Sequence, residues 1–127
     1  MKKLTDKVTG FIYEYFRTDN NEIVYRGSSE HKEGYNRTPL ENVDFWHREG
    51  HTLNSPKFPY KYTVFRSNLR RPLGKKVRVR MLIEPKEMTR EEMLILEGDM
   101  IQERLDKGQC YLNHDPNPLK TWKRFNG

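Results

Sequence analysis

The run Gly10-Phe11-Ile12-Tyr13-Glu14-Tyr15-Phe16, followed by Glu22-Ile23-Val24-Tyr25-Arg26, constrains this chain more than any other feature. Aromatic and β-branched residues favour a pleated, half-buried surface. The segment between the runs, Arg17-Thr18-Asp19-Asn20-Asn21, is turn chemistry. Together they predict a β-hairpin with Tyr13 on one strand and Tyr25 on the other. Cross-strand neighbours on one face lie within side-chain reach, so both tyrosines are expected on one concave surface. Without further context, core packing is the commoner use of such rings.

A hairpin needs something to cover it. Only 34% of the residues are apolar and 33% are charged, so the core must be thin. The 12% aromatic content is too high for a disordered chain and can supply much of that core. A length of 127 residues predicts one domain over 1–127, with a core at about 9–115 and a basic-aromatic tail at 116–127. The single cysteine, Cys110, excludes an internal disulfide, a zinc ribbon and a Cys₂His₂ finger. His31, His47, His51 and His114 show no zinc spacing and read as surface or hydrogen-bonding residues.

The opening MKKLTDKV has lysines but no apolar run behind them, unlike a signal peptide. No segment approaches the roughly 18 apolar residues of a membrane span. A soluble, cytoplasmic protein without membrane contact is the expectation. The net charge of +6 favours acidic partners, nucleic acid above all.

Residues 28–39 are polar and read as a loop. Residues 40–49 predict a short helix closed by Gly50, with Leu40, Val43 and Trp46 or His47 at helical spacing. Pro56 and Pro59 break the chain again, and 60–70 predicts a second helix presenting Tyr62, Phe65 and Leu69. Residues 76–83 alternate as a strand, with Val77, Val79 and Met81 on one face and Arg78 and Arg80 on the other. Those arginines lie near Arg70, Arg71, Lys75 and Lys76, so they form either a solvated face or a phosphate-facing one.

Thr89-Arg90-Glu91-Glu92 is a capping box that opens a long helix, and Gly108 is its stop signal. Glu97 falls on the same face as Met93, Leu94, Met100 and Ile101. A carboxylate shielded there is costly unless it has a partner: an arginine, a proton or a metal ion. Cys110 to Pro116 reads as an extended return through Tyr111 and Leu112. Asn113 and Asp115 in it read either as turn builders or as site residues.

Gly-Phe-Ile-Tyr at 10–13, Tyr25-Arg26-Gly27 with Ser28 behind it, the inward Glu97, and Tyr111 before Asn113 resemble the GIY-YIG nuclease superfamily. The resemblance spans 10–113. It implies an α/β fold: a small, mainly antiparallel three-stranded sheet flanked by helices, with the active site over the sheet. It also implies a metal-dependent DNA endonuclease that hydrolyses phosphodiester bonds. Tyr13 or Tyr25 would act as general base, although a free phenol, with a pKa of about 10, needs a nearby cation to serve.

Arg48, with Arg37 as second choice, would hold a phosphate oxygen, because the helix gives Arg48 the more rigid base. His51, or His31 in the loop, would assist proton transfer. Glu97 would ligate one Mg²⁺, with Mn²⁺ as a substitute, and Asn113 would orient the site. Arg26, Gly27, Arg78, Arg80, Lys123 and Arg124 are the expected nucleic-acid contacts, and the tail Trp122-Lys123-Arg124-Phe125 either packs on the domain or stacks on bases. Two departures stand out: an extra residue follows Gly10, and residues 28–39 read as an insertion that loses the register of the catalytic arginine. DNA would be recognised by the 28–39 loop, by DNA structure, by homodimerisation or through a partner. A phage or mobile-element nuclease acting in an infected cell suits such a chain. The rival expectations are a non-catalytic nucleic-acid-binding module on the same fold and a small basic protein-interaction or inhibitor domain.

Overall fold

The structure, a computed structural model, describes residues 1–32, 37–49, 65, 68–69, 71–110, 112–113 and 116–126. Its elements are β1 (Lys7–Arg17), β2 (Ile23–Glu30), α1 (Pro39–Glu49), a 3₁₀ turn at Pro72–Lys76, β3 (Val77–Thr89), α2 (Arg90–Leu105) and α3 (Pro118–Asn126). The three strands form one antiparallel sheet, as expected, and their order is β2-β1-β3.

The hairpin turn closes through Arg17 N–H to the Glu22 carbonyl at 2.9 Å and Asn21 N–H to the Arg17 carbonyl at 2.8 Å. Asn21 sits at φ +59, a left-handed position that asparagine tolerates better than most residues. Tyr15 lies opposite Tyr25, and Tyr13 opposite Gly27. A register shift between Tyr15 and Phe16 resets the strand end next to the turn.

Strand alternation sends Phe11, Tyr13 and Tyr15 to one face and Ile12 and Glu14 to the other. The first face packs under α1 and under the helical residues Phe65 and Leu69, where Val43 and His47 are buried four residues apart on one side of α1. The second face is covered by α2. A Cβ on Gly10 would stand 2.9 Å from Met93 Sδ, so the missing side chain is what lets α2 lie this close to β1.

Helix starts follow the chemistry of their caps. Thr89 Oγ1 accepts from Glu92 N–H at 3.1 Å, the predicted cap of α2. Thr38 Oγ1 accepts from Glu41 N–H at 3.3 Å ahead of Pro39. Asn117 Oδ1 accepts from Lys120 N–H at 3.2 Å ahead of Pro118. Proline at the first helical position loses nothing, since its N–H would be unbonded there. Gly108, at φ +74, follows the end of α2 as expected.

Three boundaries differ from the sequence expectation. β2 runs on through Ser28-Ser29-Glu30 into the supposed loop, because these residues pair with Ile12, Phe11 and Gly10. β3 runs to Thr89 rather than to residue 83, held by main-chain pairing to Lys7–Gly10 although the apolar alternation has ended. The 116–127 tail contains a helix, α3, whose Leu119 and Trp122 pack against Met88, Met93 and Leu94. His51, Tyr111, His114 and most of the predicted 60–70 helix lie outside the described residues. No described helix is long and apolar enough to cross a membrane.

Candidate functional site

A cleft of about 370 Å³ opens at the β2 edge of the sheet, where α1, α2 and α3 converge on Ser28. Tyr13 enters it from the aromatic face. Its hydroxyl oxygen shares a hydrogen bond with His47 Nε2 at 2.8 Å, and both residues are buried. Which atom carries the proton depends on the imidazole tautomer. The hydroxyl reaches the edge strand because Gly27 lies beneath it. A Cβ on Gly27 would stand 2.5 Å from that oxygen.

Glu97 enters from α2 on the other face and is 4% exposed. Its Oε1 accepts a short hydrogen bond from the Ser28 hydroxyl. The buried carboxylate predicted from helix periodicity is thus found where expected, beside the strand that carries Tyr25.

Asn113 positions this strand. Its side-chain carbonyl accepts from Arg26 N–H, and its amide donates to the Arg26 carbonyl, both at 2.9 Å. Upstream, Cys110 N–H and Leu112 N–H donate to the carbonyls of Ile23 and Val24 at 2.8 and 3.1 Å. These bonds tie Cys110, Leu112 and Asn113 to β2 through a turn, with Cys110 at φ +57 and Asn113 N–H donating to the Cys110 carbonyl at 2.9 Å, and the Asn113 amide meets the strand at Arg26, two residues before Ser28. Asn113 thereby fixes the backbone that presents Ser28 to Glu97. Cys110 adds no nucleophile: it is buried, and burial pushes its thiol up to about 11.

The two tyrosines do share a face, with stacked rings 6.3 Å apart. Their environments differ. Tyr25 stacks on Phe65 at 3.8 Å with the rings 4° from parallel, deep in the core, and is not among the residues lining the cleft. Tyr13 alone of the pair lines it.

The arginines are where sequence expectation and structure part. Arg48 does not line the cleft. Its guanidinium donates to Asp44 at 2.7 Å and to the carbonyls of Gly74 and Val77 at 2.9 and 2.7 Å. It faces β3 rather than β2, since it stands one residue past His47 on α1 and so about 100° around the helix. Arg37 covers the Phe45 ring at 3.9 Å and lines, with Arg48, a separate shallow groove.

Arg26 is 3% exposed and binds Glu14 at 2.9 Å and the Met100 carbonyl at 2.8 Å. Alternation turns it away from Tyr25 and under α2, so it is no exposed phosphate contact. Arg80 also binds Glu14, at 2.6 Å, while covering Phe16 at 4.3 Å. Arg78 is exposed and donates to the Lys75 and Val77 carbonyls. Lys123 and Arg124 lie exposed on α3, which turns Thr121 and Trp122 toward the cleft instead.

Two groups escaped sequence reasoning. His47 was one of two choices for a buried helix position, and nothing local distinguished it from Trp46. Arg90 lines the cleft, donating to Glu30 from Nε and Nη2, both at 3.0 Å, and to Asp6 from Nη1 at 3.1 Å. Its signal was weak, because its partners stand 60 and 84 positions away. Lys2 and Lys32 complete a basic rim.

Among the described residues no group of three or more His, Cys, Asp or Glu side chains is gathered as a metal cage. Mg²⁺ asks for less: it keeps several waters and binds through one or two carboxylates. A buried Glu97 facing a cleft with room for water fits that mode. No family model, curated protein or solved structure matches this chain. What the molecule defines by itself is an α/β fold with a three-stranded antiparallel sheet and, at one edge, a cleft lined by both polar and aromatic side chains.

Proposed function

We propose that this protein is a metal-dependent DNA endonuclease. One observation carries the reading: the Tyr13–His47 pair and the Glu97–Ser28 pair come from opposite faces of the sheet and open on the same cleft. Phosphodiester hydrolysis needs a proton acceptor for water and positive charge on the phosphate oxygens. With His47 neutral and its Nε2 accepting from Tyr13, the phenol oxygen can take a proton from water while passing its own to the imidazole. That relay removes the need for a free phenolate, whose ordinary pKa of about 10 makes it scarce at neutral pH.

Glu97 is the residue that would hold Mg²⁺ or Mn²⁺. When bound, the ion supplies charge neutralisation beside the phosphate. Ser28 fixes the orientation of Glu97, and Asn113 fixes the strand that carries Ser28. Lys2 and Lys32 attract the backbone of the substrate. The activity belongs in the cytoplasm of a cell that holds DNA, including a phage-infected one.

The test is cleavage of supercoiled plasmid and of branched DNA, with Mg²⁺ and with chelator. Cleavage should require the metal, and Glu97→Ala should lower it by about 10²-fold or more. A Glu97→Ala protein that cuts at the parental rate would overturn the assignment.

One observation favours a second reading, a non-catalytic nucleic-acid-binding module. Neither Arg48 nor Arg37 reaches the cleft, and Arg90 is already engaged by Glu30 and Asp6. A protein that binds DNA with a steep salt dependence, yet cuts none of these substrates with Mg²⁺ or Mn²⁺, would decide for it.

A further inference from the structure

Both tryptophans of this chain, Trp46 and Trp122, line the one cleft. Trp46 comes from α1 and stands edge-on to His47 with ring centres 4.9 Å apart. Trp122 comes from α3 and is backed by Met88, Met93 and Leu94. The two rings therefore approach the β2 edge from helices on different sides of the sheet. Phe125, 45% exposed, lies one helical turn beyond Thr121 on the same wall. The rim carries Lys2 and Lys32, both exposed. Aromatic walls under a cationic rim suit a molecule with a flat apolar face and an anionic tail.

Volume narrows the choice. A cleft of about 370 Å³ is near the small end of ligand sites, which span roughly 300–1,000 Å³. It has room for one nucleotide and none for a duplex. In a duplex both faces of each base are covered by neighbours, so stacking on protein rings requires an unpaired or extruded base. Stacking of this kind is tolerant of sequence, because every base has a flat face.

We propose that the cleft takes one unpaired nucleotide of single-stranded DNA, its base stacked on Trp46 and Trp122 and its phosphates drawn to Lys2 and Lys32. The inference rests on the hydrolase reading for its direction, since it names the substrate of that same site: single-stranded stretches, flaps or branch points in place of continuous duplex. Its physical content is binding and can be measured without turnover.

The experiment titrates the full chain, in chelator, with a 12-nucleotide oligodeoxythymidine and with a blunt 12-base-pair duplex, reading tryptophan emission. The single strand should quench emission and bind at least about tenfold more tightly than the duplex at equal salt. Trp122→Ala and Trp46→Ala should each weaken single-strand binding by about 5- to 150-fold, the range expected for one lost stacking platform. Trp122 also packs against its neighbours, so Trp122→Phe is the companion variant. It keeps a ring in place and should retain most of the affinity. Trp46→Ala, with Trp122 as the remaining emitter, gives the result without disturbing that packing.

Equal affinity for both DNAs, absence of quenching, or unchanged binding by folded Trp46→Ala would each overturn the proposal. The outcomes separate it from the hydrolase reading. Quenching by the single strand with no cleavage of any DNA keeps the stacking site and removes the enzyme. Glu97-dependent cleavage with no tryptophan response keeps the enzyme and removes the stacking site.

Discussion

On one face of the sheet, Tyr13, Tyr15 and Tyr25 meet His47 ring against ring, Tyr15 and Tyr25 also meet Phe65, and Phe11 packs on Tyr13. On the other, Glu14 lies in one cross-strand row between Arg26 and Arg80, and Arg26 reaches on to the Met100 carbonyl of α2. The faces share a backbone, and strand alternation alone separates their chemistry. The aromatic face tolerates small losses, because each ring has several neighbours and gives up at most one polar tip. The ionic face is all or nothing. Glu14 and Arg26 are desolvated, each with a side chain 4% exposed, while Arg80 stays 47% exposed, and the buried pair is favourable only while both members are satisfied. The cleft forms at the strand where the two faces can be reached together: Gly27 lets a tyrosine of the aromatic face lie over β2, and Ser28 presents the ionic face beside it.

The sharpest way to break this contrast is to remove the central carboxylate. Glu14→Ala takes from buried Arg26 its 2.9 Å ion partner and leaves only the half-exposed Glu103, 3.8 Å away; breaking a buried pair in this way costs about 3–5 kcal/mol. Tyr15→Phe is the matched loss on the aromatic face. It deletes a 3.0 Å hydrogen bond to Asp44 and should cost about 1 kcal/mol. Urea unfolding of both variants beside the parent measures the difference. Equal costs would mean that the ionic row is solvated and the two faces are energetically alike.

Arg48→Ala is the next largest. Its guanidinium ties α1 to the 3₁₀ turn and to the start of β3. Losing those contacts and the one to Asp44 should cost about 2–3 kcal/mol. Cleavage per folded molecule should stay near the parental rate, because the side chain does not line the cleft. A stable Arg48→Ala protein without activity would return Arg48 to the role of phosphate ligand and would move the site off the β2 edge.

Gly27→Ala probes the point where the faces meet. The added methyl would collide with the Tyr13 hydroxyl and with Cζ at 2.7 Å. Overpacking of this kind costs about 1–3 kcal/mol. The specific outcome is a displaced Tyr13 ring, so activity should fall much further than the folded fraction at assay temperature. Thermal melting and a cleavage time course on one preparation check it. Activity that merely tracks stability would show that the placement of Tyr13 is incidental.

The same comparison explains what the sequence made legible. The hairpin, the Thr89 cap and the inward Glu97 are written in local patterns: alternation, a capping box and helical periodicity. Each needs only neighbours within a few positions. The ionic row is not local. Arg26 reads as an exposed cation inside a polar motif until α2, some 70 residues later, is laid over it. Arg48 looks equivalent to His47 as a helix position, and only the placement of α1 on the sheet decides that His47 meets Tyr13 while Arg48 turns to β3. The tail hid a helix because its signals, Asn117-Pro118 followed by a short amphipathic run, are cues that a basic-aromatic composition masks. Long-range charge pairing was therefore the part that residue types alone could not resolve.

The smallest expected effect concerns the rim of the cleft, where Arg90 joins α2 to Glu30 of β2 and to Asp6. Burial of Glu30 favours its protonated form. The Arg90 hydrogen bond and charge, with Lys2 and Lys32, outweigh that and hold the carboxyl below its ordinary 4.5. A depressed folded pKa contributes stability that is fully present above the unfolded value and is lost as pH falls through the folded one. Parent stability should therefore carry this contribution unchanged from neutral pH to about 4.5 and lose it below. The Glu30 side chain is 23% exposed, so water screens the pair and its worth is about 1 kcal/mol or less. Other carboxylates titrate in the same range, which makes the informative quantity a difference: parent minus Glu30→Gln in melting temperature, followed from pH 7 to pH 3. The gap should be small and positive at pH 7 and should close toward pH 3. A gap that stays constant, or widens in acid, would mean that Glu30 holds Arg90 by packing and not by charge.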